Sequence, residues 1–309
     1  MISPDAVRDV IAAFASANLV ALGERHGARE DAEFRLKLIR DPAFAPAVDD
    51  IVIEFANALH QDLLDRFVQG ADVAAAELSK IWRDTAQPGA WDSPVYEEFL
   101  RAVRLVNAGL PRGRRLRVLA GDPPIDWSEP SIGQHLRDLV DARDQFAASL
   151  IEREVLNRDR KALVVYGSLH LYRSLAGTIP ERLRRNSKAR WFVMVPIAGS
   201  EVSALLGAGR ASAADPVLAG LADSPLGDLQ ANDLFEKGTK RVQVVDGKMV
   251  LAPAQLFEPG VKARETADAV LYFGDAAPEF VPRPAGIAGT DYGTEIDRRR
   301  AILRSLLPR

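Results

Sequence analysis

Five short runs in this chain are apolar at both alternating sets of positions: ANLVALGE (17–24), DIVIEFA (50–56), LRVLAGD (116–122), KALVVYGSLH (161–170) and RWFVMVPI (190–197). A strand with one wet face alternates apolar and polar residues. Runs of Val, Leu and Ile without that alternation belong to strands covered on both faces, as in a parallel sheet. Between them the period becomes helical. AREDAEFRLKLIRDP (28–42) spaces Phe34, Leu36, Leu38 and Ile39 along one helix face and stops at Asp41-Pro42. ALHQDLLDRFVQG (58–70) ends at Gly70, and SPVYEEFLRAVRLVNAG (93–109) starts with Ser93 as cap and Pro94 in the first turn. Residues 131–159 read as helical almost throughout. Strand and helix in alternation predict an α/β fold, a central mostly parallel sheet with helices on both faces.

The last third is less regular. Residues 209–228, small and punctuated by Pro and Gly, read as a surface excursion or lid. Asp246-Gly247 between two β-type runs predicts a hairpin, ADAVLYFGD (267–275) a further strand, and 294–309 a terminal amphipathic helix. The expected organisation is one domain over 1–309, with a core at 1–200 and a lid and C-terminal elaboration at 201–309.

Composition removes several function classes. Lys and Arg total 40 against 43 Asp and Glu, a net charge of −3, so nothing draws the chain generally to nucleic acid or an anionic membrane. A small-molecule substrate is the expected partner. The absence of cysteine excludes disulfides, a thiol nucleophile and thiolate metal sites. Asp5, Arg8 and Asp9 interrupt the N-terminal apolar residues, unlike a signal peptide, and no uncharged window reaches the ~18 residues of a membrane span. A cytoplasmic location is the default expectation.

In an open parallel sheet the ligand crevice lies beyond the carboxyl ends of the strands. Here four strands end in ionisable groups: the first delivers Glu24 and His26, the second Glu54, the third Asp122, the fourth His170. Gly23, Gly121 and Gly167 precede these groups, where they permit close approach to the backbone. Buried carboxylates are costly unless paired or coordinated, so several on one rim imply a cation, a metal ion or an organised water. Glu54 is also suited to a buried salt bridge with Arg25 or Arg35, and Asp122 to the turn at Pro123-Pro124. His60 lies on a helix near the cleft, and His135 reads as structural. Arg143 and Asp144 on the long helix either form a local charge pair or point at the cleft to orient a group of the site. Tyr166 and Tyr172 flank His170; Tyr166 lies in an apolar strand and reads as core, which leaves Tyr172 as the better candidate for a role at the site. The basic run 112–117 reads as a solvated edge.

GERHG, IEFANALHQDLLDRFVQG, RDQFAASLI and VVYGSLHLYRSLAGTIPERLRR, in this order and spacing over residues 17–197, resemble the ChaN-like haem-binding uptake proteins, grouped with erythromycin esterases and the Tiki and TraB proteins. The resemblance implies that Glu24 and His26 form the family's first motif, Glu54 its second-strand acid and His170 its later histidine. From the Tiki side it implies a divalent metal held by Glu24, His26 and His170. From the ChaN side it implies haem, with Tyr172 or a histidine as its axial ligand and a homodimer completing the site. No Gly-x-Ser-x-Gly elbow is present.

The expectation is a hydrolase in which Glu24, His26, Glu54 and His170 activate water, directly or on a metal, with Arg25, His60, Asp122, Arg143 and Tyr172 around them. The alternatives are haem binding and a non-hydrolytic lyase or cyclisation step in the same cleft.

Overall fold

The doubly apolar runs pair in parallel, each hiding one face of its side chains on either side of a single sheet. The computed structural model describes residues 2–3, 5–206, 211–212, 214–235, 240–245, 248–253 and 255–306. The strands are β1 (Ile2–Ser3), β2 (Leu19–Glu24), β3 (Asp50–Asn57), β4 (Arg117–Asp122), β5 (Ala162–Gly167), β6 (Trp191–Ile197), β7 (Val217–Gly220), β8 (Lys240–Val245), β9 (Lys248–Pro253) and β10 (Ala269–Tyr272). The main sheet has eight strands in the order β1-β7-β10-β6-β2-β5-β3-β4. From β10 to β4 every pairing is parallel, and β7 and β1 close one edge antiparallel.

Odd and even positions of the central strands enter different cores. Val20, Leu22, Ile51, Ile53 and Phe55 pack with Phe34 and Leu38 of helix Arg29–Arg40, Leu64 of helix Gln61–Val68 and Phe99 of helix Pro94–Ala108. Leu19, Ala21, Val52, Val164 and Tyr166 pack with Ala147 and Ile151 of helix Arg143–Glu154 and with Ile179 and Leu183 of helix Ile179–Leu183. Helices therefore cover both faces, and each large apolar side chain so buried contributes ~1.5–3 kcal/mol.

Three expectations are revised. Residues 217–220 are not a surface excursion: Val217, Leu218 and Ala219 are buried in β7, whose partner β10 lies inside the sheet. The helix expected over 131–159 breaks at Ala142 into Ile132–Asp141 and Arg143–Glu154, followed by a 3-10 turn at Leu156–Arg158. Ser93 occupies the cap position before Pro94, but its hydroxyl does not cap the helix. The hairpin expected around Asp246-Gly247 is present as β8 and β9, while the two turn residues themselves lie outside the described residues. The 267–275 strand is β10, and the terminal helix spans Asp291–Ser305.

Candidate active site

β2, β5, β3 and β4 are neighbours, so their carboxyl ends bring Glu24, Gly167, Glu54 and Asp122 to one stretch of the sheet's rim. The two-residue period then decides which way each acid leans. Glu24 continues the set of Val20 and Leu22 and meets the first core; Glu54 continues the set of Val52 and meets the second.

On the first side Glu24 is buried and ion-paired through Oε2 to the buried Arg35 guanidinium. Its Oε1 lies 2.8 Å from His26 Nδ1 and accepts from the Tyr96 hydroxyl at 3.3 Å. Trp91 meets the His26 ring edge to face, 4.5 Å between centroids. With Nδ1 held from behind by Glu24, the imidazole presents Nε2 to the cleft, and 37% of the side chain is exposed there.

On the second side Glu54 is fully buried. Its Oε1 accepts from the Arg143 guanidinium at 2.8 Å and its Oε2 from the Gly167 N–H at 2.7 Å. Arg143 also donates through Nε to Asp122 Oδ1 at 2.9 Å, while Asp122 Oδ2 accepts from the Ala86 N–H at 2.6 Å. The break at Ala142 makes Arg143 and Asp144 the first residues of their helix. Asp144 Oδ1 sits 2.5 Å from His170 Nδ1, which leaves His170 Nε2 facing Glu54 Oε1 at 3.4 Å. His26 Nε2 faces the other oxygen, Oε2, at 3.9 Å. Two carboxylate-backed imidazoles thus address the same buried carboxylate from two directions.

Their environments separate their protonation. Burial is the largest influence on His26 and holds its pKa below 6.5 against the attraction of Glu54. Glu24 is already neutralised by Arg35, so it orients this ring more than it charges it. Burial also opposes the charge on His170, but the Asp144 hydrogen bond and the Glu54 field together outweigh it and raise the pKa above 6.5. Glu54 is pulled down despite its burial by His170, Arg143, His26 and the Gly167 N–H, whereas burial pushes Asp122 up to about 6 despite Arg143.

The structure brings together Glu24, His26, Glu54, His170, Arg143 and Asp122. Other expected residues are placed differently. Arg25 does not reach Glu54; its guanidinium and backbone N–H hold Asp31, and it lies over Phe273. His60 turns its Nε2 to Asp84 Oδ2 at 2.9 Å, and Asp84 in turn holds Arg299. Tyr172 is buried between Phe235 and Phe257 in the second core, which corrects its assignment as a haem ligand at the cleft. Of the expected metal ligands Glu24, His26 and His170, Glu24 has both oxygens engaged by Arg35, His26 and Tyr96, and among the described residues no three His, Asp or Glu side chains are arranged to hold an ion. Tyr96 and Trp91 are not assigned from the sequence, and Arg35, weighed there as a partner of Glu54, pairs with Glu24 instead. No local spacing marks Tyr96 or Trp91, which reach the site from a helix and a loop remote in sequence from β2, whereas Arg35 follows Glu24 by 11 residues on the next helix.

No protein-family model matches the chain, and no curated protein matches it in sequence. Solved structures do. A succinoglycan biosynthesis protein superposes with a TM-score of 0.60 at 9% identity, covering 91% of this chain and 93% of the other. An erythromycin esterase in its open conformation gives 0.56 at 13% identity, covering 88% and 94%. The haem-binding ChaN of Campylobacter jejuni gives 0.42 at 16% identity, covering 67% and 88%. At such identities the likeness is one of fold, and the α/β architecture expected from the sequence is the one shared with the erythromycin esterase.

Proposed function

We propose that this protein is a hydrolase of ester, lactone or amide bonds in which His26 is the general base and His170 the general acid. The observation that carries this reading is the pair of imidazole Nε2 atoms at 3.9 and 3.4 Å from opposite oxygens of Glu54, each imidazole backed through Nδ1 by its own carboxylate. Environments that push two titrating groups apart divide them into base and acid. Neutral His26 takes a proton from water as the water oxygen attacks the carbonyl carbon. Protonated His170 gives its Nε2 proton to the leaving oxygen or nitrogen as the tetrahedral intermediate breaks. The cycle then needs one proton moved from His26 to His170, and Glu54, with one oxygen toward each, lies on that path. Arg143 and the Gly167 N–H fix Glu54. That an erythromycin esterase is built on the same fold supports hydrolysis at a coarse level.

The test is a panel of p-nitrophenyl esters, lactones and anilides with wild type, His26→Ala and His170→Ala. Turnover by wild type that falls by ~10²-fold or more in each variant supports the assignment. No turnover of any class above the His26→Ala background removes it.

A further inference from the structure

Three of the large apolar side chains exposed among the described residues follow or adjoin the strand ends that carry the two imidazoles. Of the five such residues among those described, Leu59 (49% exposed) follows β3 by two positions and Leu169 (39%) follows β5 by two. Phe280 (58%) bridges Ala28, just past His26, on a segment tied there by the Val281 N–H to the Gly27 carbonyl and the Arg29 N–H to the Glu279 carbonyl, both at 2.8 Å. Leu59 immediately precedes His60, and Leu169 immediately precedes His170. β3, β5 and β2 are consecutive in the sheet, so Leu59, Leu169 and the Ala28 position that Phe280 bridges follow one another along its carboxyl rim. Apolar groups left in water next to a polar cleft mark a surface that a ligand covers.

The charges of the site point the same way. The two arginines that touch the acids of the site are already held by carboxylates, Arg35 by Glu24 and Arg143 by Glu54 and Asp122, and the neighbouring Arg25 is held by Asp31. A phosphate or carboxylate group entering the cleft would find none of these guanidinium groups unpaired and would approach Glu54, Asp122 and Asp144.

We infer that the substrate is an uncharged acyl compound whose acyl portion is apolar, seated on Leu59, Leu169 and Phe280 while its carbonyl lies between His26 and His170. The inference rests on the hydrolase reading. Every methylene seated on this rim is worth up to about fourfold in kcat/KM.

The experiment compares p-nitrophenyl acetate, butyrate, octanoate and hemisuccinate. The expected result is a kcat/KM at least about tenfold higher for octanoate than for acetate, with hemisuccinate below butyrate. Leu59→Ser, Leu169→Ser and Phe280→Ser should each lower the octanoate-to-acetate ratio, while Leu105→Ser, an exposed leucine on helix Pro94–Ala108, should leave that ratio as it is. A ratio near one, or preference for hemisuccinate, overturns the inference and leaves hydrolysis standing. Should wild type turn over no ester, the hydrolase reading fails, and Nile red decides the seat by itself. Saturable fluorescence enhancement that is lost in Leu59→Ser/Leu169→Ser supports an apolar binding rim, and enhancement equal in wild type and variant overturns it.

Discussion

Gly167 lies so close beneath His26 that a Cβ on it would stand 2.8 Å from the ring Cε1 and 2.9 Å from Nε2. The same residue's N–H holds Glu54. One glycine therefore sets the distance between an imidazole and the carboxylate it faces, and only the missing side chain allows it. Gly167→Ala should displace the His26 ring and lower kcat/KM by roughly 10- to 100-fold, in the range expected for an ångström of misplacement. Far-UV circular dichroism should be unaltered; a variant with wild-type kcat/KM would show that His26 Nε2 is not the reacting atom.

His26→Ala and Glu24→Gln should separate chemistry from stability. The His26 side chain is 37% exposed, so its removal should cost ~10²–10⁴ in kcat/KM with a small change in unfolding free energy. Glu24→Gln leaves the buried Arg35 without its countercharge and should destabilise the fold by ~3–5 kcal/mol as well as slow turnover. Urea unfolding and steady-state kinetics on the same preparations distinguish the two.

The pH dependence of kcat/KM should be bell-shaped around 6.5. Activity requires His26 neutral, and its pKa is lowered, so the acidic limb falls below 6.5. It also requires His170 protonated, and its pKa is raised, so the basic limb falls above 6.5. Asp144→Asn removes one of the two carboxylates that together outweigh the burial of His170, and the basic limb should move to lower pH while the acidic limb stays. Movement of the acidic limb instead would reverse the two assignments.

Arg143 bridges Glu54 and Asp122, both fully or almost fully buried. Arg143→Met should cost ~3–5 kcal/mol at pH 8, where two carboxylates remain charged in the interior. The folded-state pKa of Glu54 then rises above its unfolded value and that of Asp122, already raised to about 6, rises further, so the stability they contribute is retained at low pH and lost as pH rises. The deficit relative to wild type should therefore shrink toward pH 5, and denaturation midpoints at the two pH values check it. A deficit that grows on acidification would contradict the ion-pair account.

Arg299, on the terminal helix, pairs with Asp84, donates to the Arg83 carbonyl at 2.9 Å and lies over Trp127. The segment it holds supplies the Ala86 N–H to Asp122 and Trp91 to His26. Arg299→Ala should destabilise by ~1–3 kcal/mol and lower kcat although the arginine touches none of the reacting groups. Hydrogen exchange at residues 84–92 should rise with it; unchanged protection there would show that the helix does not brace the site.

The sequence alone determined the five doubly apolar strands, because a run of Val, Leu and Ile without alternation has one stable place, between two layers of helices. It also determined that Glu24, His26, Glu54, Asp122 and His170 stand at strand ends, since the position of a residue within its own element is a local property. Tertiary structure decided the partners. Glu24 and Glu54 read alike in the sequence, yet the two-residue period turns them to opposite faces, one to Arg35 and the other to Arg143. Tyr172 stands two residues from His170 and lies in the core, and residues 217–220, outwardly loop-like, complete the sheet. Periodicity records only which face of an element is apolar. Which charged side chain waits opposite that face depends on how elements tens of residues apart pack, and that is where the chemistry of this site is set.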